Sequence, residues 1–344
     1  MRRIKRRTVL FGLAGLSLPL IASACAGGSS DSQTTTEPAS NSSAAPNGSQ
    51  EAAIARIGYQ RFSDLDLIRI RGVLEQSLQE QNVTTEWSFF QAGPPLLEAM
   101  NAGSLDFGGV GDAPPIFAQA AGAQFYYVGV TPRGPETQDI IVRNDSPIKT
   151  AADLAGKKVA LQRGSSAHYL LVEVLREQNI PVEQVEVVSL PPADARAAFE
   201  QGTVDAWSIW DPFLAVAEAT GNVKSLKVGR ERRAFFLASK EFAESRPDLV
   251  KIILQAAREN EQWGQQNARQ IAEQFAGELD IDADILELVN QRRQWGLFPV
   301  DESVLAAQQR VADTFYEIGV IPQAIQVNEV ALPERDYAQV FPVS

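Results

Sequence analysis

Leu105-Asp106-Phe107-Gly108-Gly109-Val110-Gly111-Asp112-Ala113-Pro114-Pro115-Ile116-Phe117-Ala118-Gln119-Ala120-Ala121-Gly122 runs an apolar strand straight into a capped, proline-started helix. Leu105–Val110 reads as a strand and 113–121 as a helix. Gln124–Val130 reads as the next strand, giving a β-α-β unit. Outward in both directions the same rhythm repeats. Upstream, Ala55–Tyr59 is a short strand, and Asp64 can cap a helix carrying Leu67, Ile70, Val73, Leu74 and Leu78 on one stripe. Thr84–Phe89 is a strand and Pro94–Ala102 a helix closed by Gly103. Alternation of this kind predicts a parallel sheet covered by helices.

The rhythm restarts after Ile140–Val142. Strands at Lys157–Leu161, Val185–Leu190 and Asp205–Ile209 precede helices opened by Ser166, Pro192 and Asp211-Pro212. Ala234–Ala238 is a strand able to return to the first sheet, and residues 243–318 are mainly helical. Two α/β lobes joined by two crossings, near 139–143 and 233–238, make a hinged clamshell. The expected division is 54–139 plus 236–344 for lobe 1 and 140–235 for lobe 2. Ligands of open α/β sheets bind beyond the carboxyl ends of the strands, which here face a shared cleft.

The 344 residues are 44% hydrophobic and 22% charged, an ordinary globular balance. Thirty-one bases face 43 acids. Five of the bases (Arg2, Arg3, Lys5, Arg6, Arg7) sit at the N-terminus, so without residues 1–24 the net charge falls from −12 to −17. A body so acidic makes a poor nucleic-acid binder. One cysteine, Cys25, and one histidine, His168, exclude an internal disulfide and a Cys-rich zinc site. No P-loop and no H-E-x-x-H is present. The expectation is binding without metal or cofactor, and no enzyme activity.

Residues 1–24 have a basic start, an apolar run from Val9 to Ile21 and a small-residue end, as in a secretory signal peptide. That run is shorter than the ~20 residues of a membrane-spanning helix, the competing reading. Ala22-Ser23-Ala24-Cys25 resembles a bacterial lipobox, which marks Cys25 for lipidation, and Arg6-Arg7 leaves the twin-arginine export route open. Residues 25–53 are Ser, Thr, Ala, Gly, Asn and Gln-rich and read as a disordered tether.

Three strand-to-helix junctions gather the candidate chemistry: Gly109 to Pro115, Gln162 to His168 and Trp210 to Phe213. A helix N-terminus offers unpaired N–H groups and partial positive charge, and so suits an anion. Plain helix capping by Asp112, Ser165 and Asp211 is the other reading. Trp210 is placed to reach the cleft. His168, in the first turn of a helix, is expected to be neutral and structurally bonded.

Longer motifs add a resemblance. Phe90-Gln91-Ala92-Gly93-Pro94-Pro95, Gly111-Asp112-Ala113-Pro114-Pro115, Gly164-Ser165-Ser166-Ala167-His168, Leu190-Pro191-Pro192-Ala193-Asp194 and Ile209-Trp210-Asp211-Pro212-Phe213 resemble the aliphatic sulfonate-binding proteins of bacterial ABC importers, over roughly residues 54–320. Gly109-Val110 departs from the family pattern and alters the expected pocket wall. The resemblance implies an α/β, type II-like periplasmic-binding-protein fold with two crossing strands as its hinge. It implies a binding protein that delivers alkanesulfonates to an inner-membrane permease; the chain is expected to be a monomer, held at the membrane through Cys25 of the lipobox-like run. Expected ligand contacts are Ser165 and Ser166, the backbone of Gly111 and Asp112, the amides of Gln60 and Gln91, and Trp210 over the alkyl chain, with His168 and Asp211 close by. Taurine, nitrate or a pyrimidine are alternative ligands. A pyrimidine-precursor synthase on the same fold is the enzymatic alternative, but its Cys-rich motif and histidines are missing here.

Overall fold

A computed structural model describes residues 53–341; Cys25, the signal-like leader and the tether call for no structural account because they lie outside those residues. Among the described residues ten strands form two five-stranded sheets. The strands are β1 (Ala53–Tyr59), β2 (Val83–Phe89), β3 (Phe107–Gly111), β4 (Phe125–Arg133), β5 (Gln138–Arg143), β6 (Lys158–Leu161), β7 (Glu186–Ser189), β8 (Ala206–Trp210), β9 (Val223–Ser225) and β10 (Arg232–Ser239).

The first sheet has the order β2-β1-β3-β10-β4 and the second β7-β6-β8-β5-β9. In each, four strands share one direction and a single strand runs antiparallel between the last two of them. That antiparallel strand, β10 or β5, is the one delivered by a crossing. The chain changes sheet within residues 134–137 and again within 226–231. Both crossings fall a few residues ahead of the strands expected to carry them.

Side chains alternate across β10, so Phe235 and Phe236 enter different cores. Phe236 joins Ile57, Phe107 and Leu254 on one face of the first sheet, and Phe235 joins Tyr127 and Phe315 on the other. The second sheet is likewise packed on both faces, by Leu161, Leu170 and Leu175 and by Trp207, Phe199 and Leu214. Burying each such side chain stabilises the fold by roughly 1.5–3 kcal/mol.

The stripe from Leu67 to Leu78 forms two helices, Asp64–Arg71 and Val73–Gln79, where the spacing predicts one. Gly72 breaks it with φ +63°, a left-handed conformation that glycine adopts without strain. Ser63 caps the first helix through its side chain, which leaves the Asp64 carboxylate available to Arg133.

The lobes touch on both flanks of the cleft. On one, the helix Ser166–Glu177 sets His168 and Tyr169 against Phe315, with Phe117 beside His168. On the other, the helix Phe213–Ala219 packs Ala215 among Phe62, Leu67 and Val289, and Arg292 pairs with Asp211 and Glu218.

Candidate functional site

Between these flanks lies a cavity of about 150 Å³. At ~10–15 Å³ per water that is room for on the order of ten waters, the scale of a small molecule. The carboxyl ends of β1, β3 and β8 and the loop after β6 contribute Gln60, Gly111, Trp210 and Ser166 to its wall.

The loop after β6 is shaped by Gly164, at φ +76°. Ser165 then caps the helix Ser166–Glu177: its Oγ accepts from the His168 amide at 3.4 Å and donates to the Gln162 carbonyl at 2.7 Å. The Ser165 amide donates to the same carbonyl at 3.2 Å. Both donors of Ser165 are therefore spent inside the turn. Ser166 differs. Its hydroxyl and its amide carry no hydrogen bond among the described residues, and they open the helix at the cavity.

Gly111 meets Ser166 across the cleft. A Cβ at Gly111 would lie 2.1 Å from Ser166 Oγ. Only glycine lets strand β3 come this close to the opposing helix.

The helix after β3, Ala113–Ala120, presents no comparable opening. Asp112 Oδ1 accepts the Ala113 amide at 2.9 Å, and Pro114 and Pro115 have no N–H to offer. Asp112, expected as a backbone contact to an anion, is not among the residues lining the cavity. Asp112 is buried outside the cavity wall, 3.6 Å from Arg232, and its carbonyl accepts from Gln308.

Two further candidates for ligand contact, His168 and Gln91, are not among the residues lining the cavity. His168 is buried behind the junction, where its Nδ1 accepts the Gly164 amide at 3.3 Å. Burial, helped by Arg163, pushes its pKa down to about 4, so the ring is neutral. Gln91 is exposed and does not line the cavity. Gln60, Gly111, Ser165, Ser166, Trp210 and Asp211 do line it. Gln60 Nε2 is already bonded to the Gly109 carbonyl at 3.0 Å.

Asp211 caps the helix Phe213–Ala219 by accepting the Ala215 amide at 3.0 Å, and it lies 3.3 Å from Arg292. Burial pushes its carboxyl up to about 7, against the pull of Arg292. On the opposite wall Asp64 pairs with Arg133 at 2.5 Å and with Arg293 at 3.5 Å. Burial alone would raise its pKa, but the two guanidiniums hold it below the usual carboxylate range. Glu261, behind it, is pushed up by burial and by the Asp64 charge.

Sequence reasoning missed the cationic wall: Arg61, Arg133, Arg232, Arg233 and Arg293 all line the cavity. No motif marks them. Arg232-Arg233 at the head of a strand was the only local hint, since charged residues are rarely buried unless paired. Arg232 reaches across the cleft, bonding Glu173 and lying 4.6 Å over the Tyr169 ring. Both acidic side chains of the wall, Asp64 and Asp211, are engaged by arginines, so the cavity favours an anion.

Two α/β lobes flanking one small, donor-rich cavity define the periplasmic-binding-protein fold, a class of small-solute binding proteins. The comparisons agree. The chain belongs to the NMT1/THI5-like family, whose model matches residues 95–270, and to the kin of the aliphatic sulfonate-binding proteins. It is 40% identical over 279 residues to an aliphatic sulfonates-binding protein of Escherichia coli (strain K12), covering 80% of this chain and 87% of the relative. The alkanesulfonate-binding protein SsuA from Xanthomonas axonopodis pv. citri, solved bound to MOPS, superposes with a TM-score of 0.78 at 36% identity, over 82% of this chain and 99% of that one. The periplasmic aliphatic sulphonate binding protein SsuA from Escherichia coli gives 0.72 at 38% identity, over 81% and 92%. These relatives are binding proteins and not enzymes.

Proposed function

We propose that this chain is an extracytoplasmic solute-binding protein that captures aliphatic sulfonates and delivers them to the permease of an ABC importer. The observation that carries the reading is the open start of the helix Ser166–Glu177, facing Gly111 across a cavity walled by guanidiniums. A sulfonate is a permanent monoanion with three acceptor oxygens, and backbone N–H and hydroxyl donors suit it. Trp210 offers an apolar face to an alkyl chain.

Taurine fits less well, because its ammonium needs a free carboxylate. Asp64 and Asp211 are both held by arginines. We place the ligand between the two lobes, which close on it. The sheets support a two-lobe division with its bounds at the crossings, a few residues ahead of 139/140 and 235/236: one sheet is built from 53–133 with 232–239 and the other from 138–225. In this reading residues 1–24 direct export, a lipid on Cys25 tethers a monomer to the membrane through residues 25–53, and the protein works in the periplasm.

Titration calorimetry with ethane- to octanesulfonate, taurine and nitrate tests the function. Alkanesulfonates are expected to bind most tightly. Tighter binding of taurine or nitrate than of every alkanesulfonate would overturn the assignment.

A further inference from the structure

We infer that the strands at the crossing between the lobes hold the ligand directly, with Thr131, Gln138 and Arg232 as hydrogen-bond donors to it. The inference rests on the reading of the cavity as a sulfonate site. All three residues line that cavity, and all are more than nine-tenths buried: Thr131 is 0% exposed, Gln138 3% and Arg232 8%. Thr131 Oγ1, Gln138 Nε2 and Arg232 Nε have no hydrogen-bond partner among the described residues. Buried polar groups in native proteins are nearly always paired, so three unpaired donors lining one cavity point to acceptors on its ligand.

The neighbours explain why these atoms are left over. Arg232 spends Nη2 on Glu173 and sets Nη1 3.6 Å from Asp112, which fixes the guanidinium and leaves Nε. Thr131 lies on β4 beside β10, in register with Ala234, two residues from Arg232. Gln138 opens β5 on the far side of the crossing, paired with Trp210 of the second sheet. An acceptor that takes hydrogen bonds from this trio joins β4 and β10 of one lobe to β5 of the other. Ligand contact and lobe closure are then one event at the crossing. A sulfonate oxygen, or an ether or hydroxyl oxygen on its chain, supplies the acceptor, whereas an ammonium cannot.

The test compares Thr131→Val, Thr131→Ser and Gln138→Leu with the wild type, using hexanesulfonate titrations at one salt concentration and thermal melts of the free proteins. Thr131→Val keeps the shape and loses the donor. It and Gln138→Leu are expected to bind ~10-fold more weakly, the loss of one hydrogen bond to an anion. Thr131→Ser, which keeps the hydroxyl, is expected within ~3-fold of wild type. Free Thr131→Val is expected to melt no lower than wild type, because an unpaired buried hydroxyl contributes nothing to the free fold. Wild-type affinity in both Thr131→Val and Gln138→Leu overturns the inference and leaves the sulfonate reading standing. A clearly lowered melting point for Thr131→Val also overturns it, by showing that the hydroxyl serves the fold. A wild type that binds no alkanesulfonate overturns the sulfonate reading and this inference with it.

Discussion

The junction after β3 and the junction after β6 look alike in sequence and differ in what they expose. Both follow a parallel strand, contain glycine, carry a favoured capping residue and start a helix. At Gly111-Asp112-Ala113-Pro114-Pro115 the Asp112 carboxylate takes the first amide and the two prolines remove the next donors. At Gly164-Ser165-Ser166-Ala167 the cap turns inward, and the Ser166 amide and hydroxyl stay open at the cavity. A helix N-terminus is an anion site only where its donors survive the cap. The first junction contributes closeness through Gly111, and the second contributes the donors.

Ser166→Asp is the strongest way to break this asymmetry. It places a negative charge where the anion sits, and calorimetry is expected to show a loss of hexanesulfonate affinity greater than ~100-fold. A loss smaller than that of Ser166→Ala would move the anion elsewhere.

Ser166→Ala removes one charge-assisted bond, about 1.5–3 kcal/mol, and is expected to weaken binding by ~10- to 100-fold. Gly111→Ala is expected to lose at least as much, because its methyl takes the place of the Ser166 hydroxyl. Ser165→Ala is the control. Its donors are already spent, so the expected outcome is about 1 kcal/mol of lost stability by denaturant melts with affinity changed by less than ~3-fold.

Asp211 is expected to make binding depend on pH. A sulfonate keeps its charge across the range, and an ionised Asp211 in the same cavity repels it. With the carboxyl pushed up to about 7, sulfonate affinity is expected to fall by ~3- to 10-fold between pH 6 and pH 8, and Asp211→Asn to flatten the slope. Stability follows the same sign: the folded pKa exceeds the unfolded one, so this group's contribution is full below about pH 4 and is lost as pH rises through about 7. A rising affinity over that interval would place the carboxylate beside a cationic part of the ligand.

Pro114→Ala carries the smallest expected effect and sharpens the contrast most. It restores an N–H at the first junction, yet Asp112 still holds the preceding amide. Affinity is expected to stay within ~2-fold of wild type by calorimetry. A gain of tenfold would mean that the prolines alone keep that helix from binding the anion.

The alternation of strands and helices was legible because parallel strands buried on both faces form short apolar runs between capping residues. Ser166, Gly111 and Trp210 were legible as junction residues on that pattern. Which junction stays open was not, since Asp112 and Ser165 are equally good caps and only the direction of each side chain separates them. Arg232, Gln138 and Thr131 were illegible for another reason. They lie 94 to 101 residues apart or on opposite sides of a crossing, and their meaning comes from lining one cavity.

The place of β10 has a consequence for synthesis. The second sheet uses only residues 138–225, a continuous segment, and its strands are all present once that segment has left the ribosome. The first sheet begins at residue 53 but needs residues 232–239 between β3 and β4, so β4 waits about a hundred residues for its neighbour. The later lobe is therefore free to fold before the earlier one. Chain elongation past residue 239 is the moment at which the two halves of the first sheet can be joined.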